Sequence, residues 1–235
     1  MSKTKCVFQA QTCLGCCGGA QTKDGSEQAL HLGDFPQNEK LWEGGDFKFC
    51  GSAIRYKKIL FFSVQIYEVA LYLEVEPTIA ELKRLRNAGF FAQAGFTEAR
   101  LIEALGQCAA RRTLQIQMLR SASYSQFSNE MRKDLEPRLA RTGDEALLGP
   151  FLDFFKDKPL SNGSTILSIW ESDNASLEGA LFPPGFTDYE HADVPVGLVN
   201  ENFCRAMFDL YWGPDCVVPD ARRQWADAAL ELLKS

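Results

Sequence analysis

The chain has 235 residues and a formal net charge of −6, so it gains no counterion-release energy from phosphates and nucleic acid is not an expected partner. Apolar residues make up 46% and charged residues 24%, the proportions of a globular domain with a real core. No run approaches the roughly 18 uninterrupted apolar residues of a membrane span, so none is expected.

Residues 1–45 are polar, Gly-rich and without periodicity, and are expected to form a disordered Cys- and Gly-containing tail ahead of a domain over 46–235. The tail lacks an apolar h-region, so no secretory signal is expected. Four of the eight cysteines fall within it, at Cys6, Cys13, Cys16 and Cys17, without a second pair at zinc-finger spacing. No metal or other cofactor is expected. The remaining cysteines, Cys50, Cys108, Cys204 and Cys216, are scattered through patterned segments and read as small buried hydrophobes in a reducing intracellular compartment, cytosol or plastid.

Two strands are predicted over 47–56 and 59–73, with Tyr56-Lys57-Lys58 as the turn. In the second, Phe62, Val64 and Ile66 share one face and Phe61, Ser63, Gln65 and Tyr67 the other; both faces become apolar after Val69, which marks a central strand. Thr97 caps a helix to Cys108, and Thr113–Leu119 alternates as a half-buried strand. Ser123 or Ser125 caps a helix to about Arg141 with Phe127, Met131, Leu135 and Leu139 on one face, and a further helix runs from Asp144 to Lys156. A hairpin of Thr165–Trp170 and Leu177–Phe182 follows. Asn200 or Asn202 then caps a helix that stops at Gly213-Pro214, and Pro219 opens the last helix. This order gives an α+β fold, an antiparallel sheet with a layer of helices on one face.

Two polar residues interrupt the apolar strands, Arg55 after the small-residue run Gly51-Ser52-Ala53 and Tyr67 within Gln65-Ile66-Tyr67-Glu68-Val69. A guanidinium in an apolar setting needs a partner, because leaving a buried charge unpaired costs roughly 3–5 kcal/mol. That partner is Glu68 or another protein acid, bulk water, or the anion of a ligand, whose carboxylate the guanidinium fork would hold while a phenol donates a further hydrogen bond. His31 and His191, lacking a placed nucleophile, read as surface residues.

Gly51-Ser52-Ala53-Ile54-Arg55, then Tyr67-Glu68-Val69-Ala70-Leu71-Tyr72-Leu73 twelve residues on from the Arg, resembles the chalcone isomerase superfamily. Asn202–Gly213, with Phe208-Asp209-Leu210-Tyr211-Trp212-Gly213 at its end and Val218-Pro219 beyond, is similar to that superfamily's penultimate helix and the Pro-started helix after it. Leu119-Arg120 through Phe127 to Leu135-Glu136-Pro137-Arg138-Leu139 is a weaker match. The resemblance implies an open-faced β-sandwich, and a superfamily of true isomerases, fatty-acid-binding proteins and non-catalytic relatives. It places Arg55 at the isomerase Arg, but Tyr67 where isomerases have Thr, Phe127 where they have the catalytic Tyr, Asp134 for Asn, and Leu210-Tyr211 for a Ser/Thr-Met pair. Tyr124 is an alternative match to the catalytic Tyr.

Arg55 with Tyr67 instead resembles the carboxylate clamp of the fatty-acid-binding branch. The function implied is binding of a fatty acid or similar apolar carboxylate, its head on Arg55 and Tyr67 and its tail along Phe127, Leu210 and Tyr211. Two alternatives stay open: an intramolecular lyase of the chalcone isomerase type, acting on an enone through Arg55 and Tyr67, and a non-catalytic helper that binds a partner enzyme.

Overall fold

Alternating apolar side chains between Phe47 and Leu73 build the longest hairpin of the molecule, β2 (Gly45–Ile59) against β3 (Phe62–Glu74). The structure, a computed structural model, describes residues 35–41, 45–186, 188–189 and 196–235. The hairpin turns at Leu60-Phe61, beyond the predicted Tyr56-Lys57-Lys58, because β2 stays extended through the lysines. Two bulges break its register, between Phe49 and Ser52 and between Arg55 and Tyr56. The second gives β3 one extra residue at Ile66, and that reverses part of the predicted face assignment. Val64, Ile66 and Tyr67 all line the helix-facing side, although strict alternation puts Tyr67 opposite the other two.

The predicted tail lies mostly outside the described residues, the four N-terminal cysteines included. Within it, however, Asn38–Leu41 is a strand, β1, paired with β2, and β2 itself begins at Gly45. Beyond the hairpin come α1 (Val75–Asn87), α2 (Glu98–Gln107), β4 (Arg112–Met118) and α3 (Tyr124–Leu139). A short 3-10 turn, Glu145–Leu147, leads into α4 (Leu148–Asp153), so the predicted helix of 144–156 is shorter and irregular at both ends. Then follow β5 (Thr165–Trp170), β6 (Ser176–Phe182), β7 (Val196–Val199), α5 (Glu201–Trp212) and α6 (Pro219–Lys234). The caps are those the sequence offers. Thr97 accepts from Arg100 N, Ser123 forms a capping box with Gln126, and Asn200, rather than Asn202, accepts from Phe203 N at 2.7 Å.

The seven described strands form one antiparallel sheet in sequence order, β1 to β7. Its helix-facing side carries Val69, Leu71, Leu73, Leu114, Ile116, Ile166 and Trp170, buried under residues of all six helices. The opposite side carries Phe47, Ala70, Tyr72, Leu167, Ile169 and Phe182, covered by Phe35, Phe186 and Tyr189. Helix α6 comes close enough to the first bulge for Trp225 Nε1 to donate to Gly51 O at 2.9 Å. Gly51 has φ +116, and a Cβ there would lie 2.5 Å from Gln224 Oε1, so the small-residue run admits a helix rather than a ligand. Among the described residues, no helix is long and apolar enough to cross a membrane.

Candidate functional site

Arg55 and Tyr67 are direct cross-strand partners in the β2–β3 ladder, and Tyr67 is in turn paired with Met118 on β4. Directly paired residues in an antiparallel sheet project to the same side, so the three side chains stand in a row beneath the helices. There they meet a cavity of about 470 Å³, within the range of small-molecule sites. Its apolar wall is built from Ile116 and Met118 on β4, Ile166 on β5, Phe127 and Met131 on α3, and Met207 and Leu210 on α5. Phe151 and Phe155 close one region as an aromatic cluster, with Phe155 4.8 Å from Phe127 and 5.5 Å from Phe151 between ring centroids. All five residues singled out from the sequence, Arg55, Tyr67, Phe127, Leu210 and Tyr211, line this one cavity. Tyr124, the alternative to Phe127, packs against the core outside the lining.

The sequence alone did not mark the other aromatic and Met residues as lining of a cavity. Their spacing was visible, but it is the spacing of any packed helix or strand.

Arg55 is half-buried, and its Nη1 donates to the carbonyl of Val217, in the segment between α5 and α6, at 3.2 Å. Among the described residues no carboxylate lies within ion-pair distance of it. Glu68, one of the acids weighed against a ligand, lies buried on the opposite side of the sheet and accepts from Ser52 Oγ at 2.6 Å. Arg112 on β4 is a different case, fully buried with both of its terminal nitrogens held by the protein. It donates to Leu105 O at 3.0 Å, to Cys108 O and to Asn174 Oδ1 at 2.7 Å, and stacks 3.8 Å from the Trp170 ring centroid. Two of those acceptors are the last carbonyls of α2, so this cation caps a helix C-terminus and is structural.

Tyr67 and Tyr211 meet edge to face, with ring centroids 6.4 Å apart. Burial pushes the Tyr67 phenol up to about 12, against the pull of Tyr211 and Arg55. Burial and the Tyr67 hydroxyl raise Tyr211 further. Both phenols are neutral donors at neutral pH. Two carboxylates also touch the cavity, Asp134 and Glu130, and Lys57 Nζ holds Glu130 at 2.5 Å.

Cys50, Cys108 and Cys204 are free and buried, their thiols pushed up to about 12 chiefly by burial, as suits small hydrophobes. His31 and His191 lie outside the described residues.

No protein-family model matches this sequence, and no curated protein matches it. Among solved structures, the chain is similar to the crystal structure of the Arabidopsis thaliana fatty-acid binding protein AtFAP1. The TM-score is 0.66 at 18% identity, over 82% of this chain and 97% of that one. The fold is chalcone-isomerase-like. At that identity the likeness concerns the chalcone-isomerase-like architecture and no single residue. It sets the curled seven-stranded sheet and its helix layer beside those of a protein with the same layout.

Proposed function

We propose that the cavity holds a fatty acid or a similar apolar carboxylate, its head on Arg55 and Tyr67 and its tail between sheet and helices. The observation that carries the reading is the Arg55 guanidinium on the wall of a largely apolar cavity, held by a backbone carbonyl and, among the described residues, by no acid. A guanidinium has five N–H donors in a fork that fits a carboxylate, so one bond to Val217 leaves the recognition geometry open. Tyr67, cross-strand from it, adds a neutral donor. Phe127, Leu210 and Tyr211 are wall residues for the tail, where each buried methylene contributes about 0.8 kcal/mol, so the tail sets affinity and the clamp sets direction. The similar Arabidopsis fold, a fatty-acid binding protein, supports the ligand class.

The test is native mass spectrometry of the purified protein together with binding of a labelled long-chain fatty acid to wild type and Arg55→Ala. Losing a charge-assisted hydrogen bond is worth about 1.5–3 kcal/mol, so the variant is expected to bind about ten- to a hundredfold more weakly. Equal binding by the two proteins would remove the clamp, and no binding by either would remove the ligand class.

A second reading is favoured by Asp134 and Glu130 at the cavity, which suit a neutral carbonyl better than an anion. Here Tyr67 and Arg55 would polarise the ketone of an enone, as in a chalcone isomerase. With Phe127 in place of a hydroxyl donor and Asp134 disfavouring a phenolate, naringenin chalcone is expected to cyclise no faster than it does spontaneously. A rate excess that Arg55→Ala abolishes would promote this reading over the first.

A further inference from the structure

The β2–β3 hairpin ends in three consecutive apolar side chains held in solvent, Leu60 at 88% exposure, Phe61 at 97% and Phe62 at 73%. Nothing in the fold asks for them. A two-residue turn whose first position has positive φ is normally made with Gly or Asn, yet Leu60 occupies it at φ 55. The sequence therefore bears backbone strain and apolar exposure at the same spot, the combination expected where a surface is kept for a partner.

We infer that this tip is a membrane-docking device that inserts Leu60, Phe61 and Phe62 into the headgroup region of an anionic lipid bilayer.

Three observations select a bilayer. The patch is a convex point at the end of a long hairpin, far smaller than a stable protein–protein interface, whereas a few apolar side chains at a tip suffice to enter the acyl boundary. Basic residues accompany it: Lys57 and Lys58 lie just before the turn, and the exposed Arg120 lines the same cavity as Lys57. Glu130, a carboxylate of the cavity lining, is already engaged by Lys57, leaving Lys58 and Arg120 to face anionic headgroups. Finally, the tip lies just beyond a cross-strand pair of the cavity wall, Lys57 with Val64. The lining also includes the exposed Arg120, Ser121, Gln126 and Asn129. A hairpin seated in lipid would bring that part of the cavity wall toward the bilayer surface, where apolar ligands of any head chemistry partition. The inference does not depend on the ligand being an acid.

The experiment uses the full chain and vesicles of phosphatidylcholine alone or of phosphatidylcholine with phosphatidylserine. Co-sedimentation is compared for wild type, Leu60→Gly/Phe61→Ser and Lys58→Glu. Wild type is expected to bind the anionic vesicles, with binding weakened by added salt. The tip double variant is expected to lose at least about tenfold in partitioning, and Lys58→Glu severalfold. Leu60→Gly relieves the turn, so the double variant should melt no lower than wild type, which separates lost docking from lost folding. Phe61→Trp adds a reporter. Its fluorescence, taken as the difference from wild type, should shift to the blue with anionic vesicles and be quenched by lipids labelled near the headgroup. Equal sedimentation of wild type and the tip variant overturns the inference, as does wild type left in solution with both vesicles. A concentration-dependent dimer lost in the tip variant, without vesicle binding, assigns the patch to a second copy and overturns it too.

Discussion

Two guanidiniums sit on the helix-facing side of the sheet, and the protein treats them differently. Arg112 has carbonyl and amide acceptors and an indole face, and burial lowers it only to about 10, so it remains a cation that finishes a helix. Arg55 has one carbonyl and an opening in front of it. Asp134, a half-buried carboxylate on the same cavity, disfavours negative charge at Tyr67. Under the fatty-acid reading, Asp134→Asn should tighten binding of a long-chain acid by roughly three- to tenfold at low salt and leave a neutral alcohol of the same length unchanged. Isothermal titration with the two ligands checks this. An equal change for both would show that Asp134 acts through packing rather than charge.

At the scale of the element, the β2–β3 hairpin does two jobs with its two bulges. The Ile66 bulge turns Tyr67 toward the helix layer beside Val64, so that one strand supplies both a hydrogen-bond donor and an apolar wall to the cavity. The bulge at Gly51 lets α6 lie against the strand, with Trp225 bonded to the glycine carbonyl. Gly51→Ala would meet both a positive φ and Gln224, whose Cβ would be 2.9 Å from the new methyl and can move only with its helix. We expect a loss of about 1–3 kcal/mol in urea unfolding with an unchanged m-value, and weaker ligand binding only so far as α6 shifts. An alanine variant as stable as wild type would show that the helix has room to yield.

At the scale of the whole molecule, the sheet has two covered sides of different character, one under the helices and one under Phe35, Phe186 and Tyr189 from outside the strands. Glu39 on β1 sits on the second side with a carboxylate oxygen that is buried without a partner, and burial raises its pKa from 4.5 to about 7, only partly offset by Tyr72. The folded state therefore favours the protonated acid. This group's contribution to stability is complete below about pH 4.5 and is lost as pH rises through about 7. Glu39→Gln should leave stability near pH 4.5 unchanged and raise the melting temperature at pH 8, flattening the slope between. Parallel melting curves for the two proteins across that range would show that Glu39 is solvated in the folded state.

The sequence by itself determined the α+β layout, the central position of β3, the helix caps at Thr97, Ser123 and Asn200, and the stop at Gly213, because each rests on periodicity or capping chemistry confined to a few neighbouring residues. Its weaknesses were local too. Four-residue strands such as β1 and β7 are too short to show alternation, and α1 follows β3 directly from Glu74, whose side chain makes no capping bond to announce it. Only the tertiary structure decided that Arg55 lies opposite Tyr67. Strand pairing depends on where a turn falls and on every inserted residue before it, and the turn at Leu60-Phe61 with the Ile66 bulge set a register that no residue count along the chain contains. The cavity likewise exists only where β2 to β5 meet α3, α4 and α5. Phe127, Leu210 and Tyr211 carry the same local pattern whether they fill a core or face a void, and the distance between packed layers, not the order of residues, makes the difference.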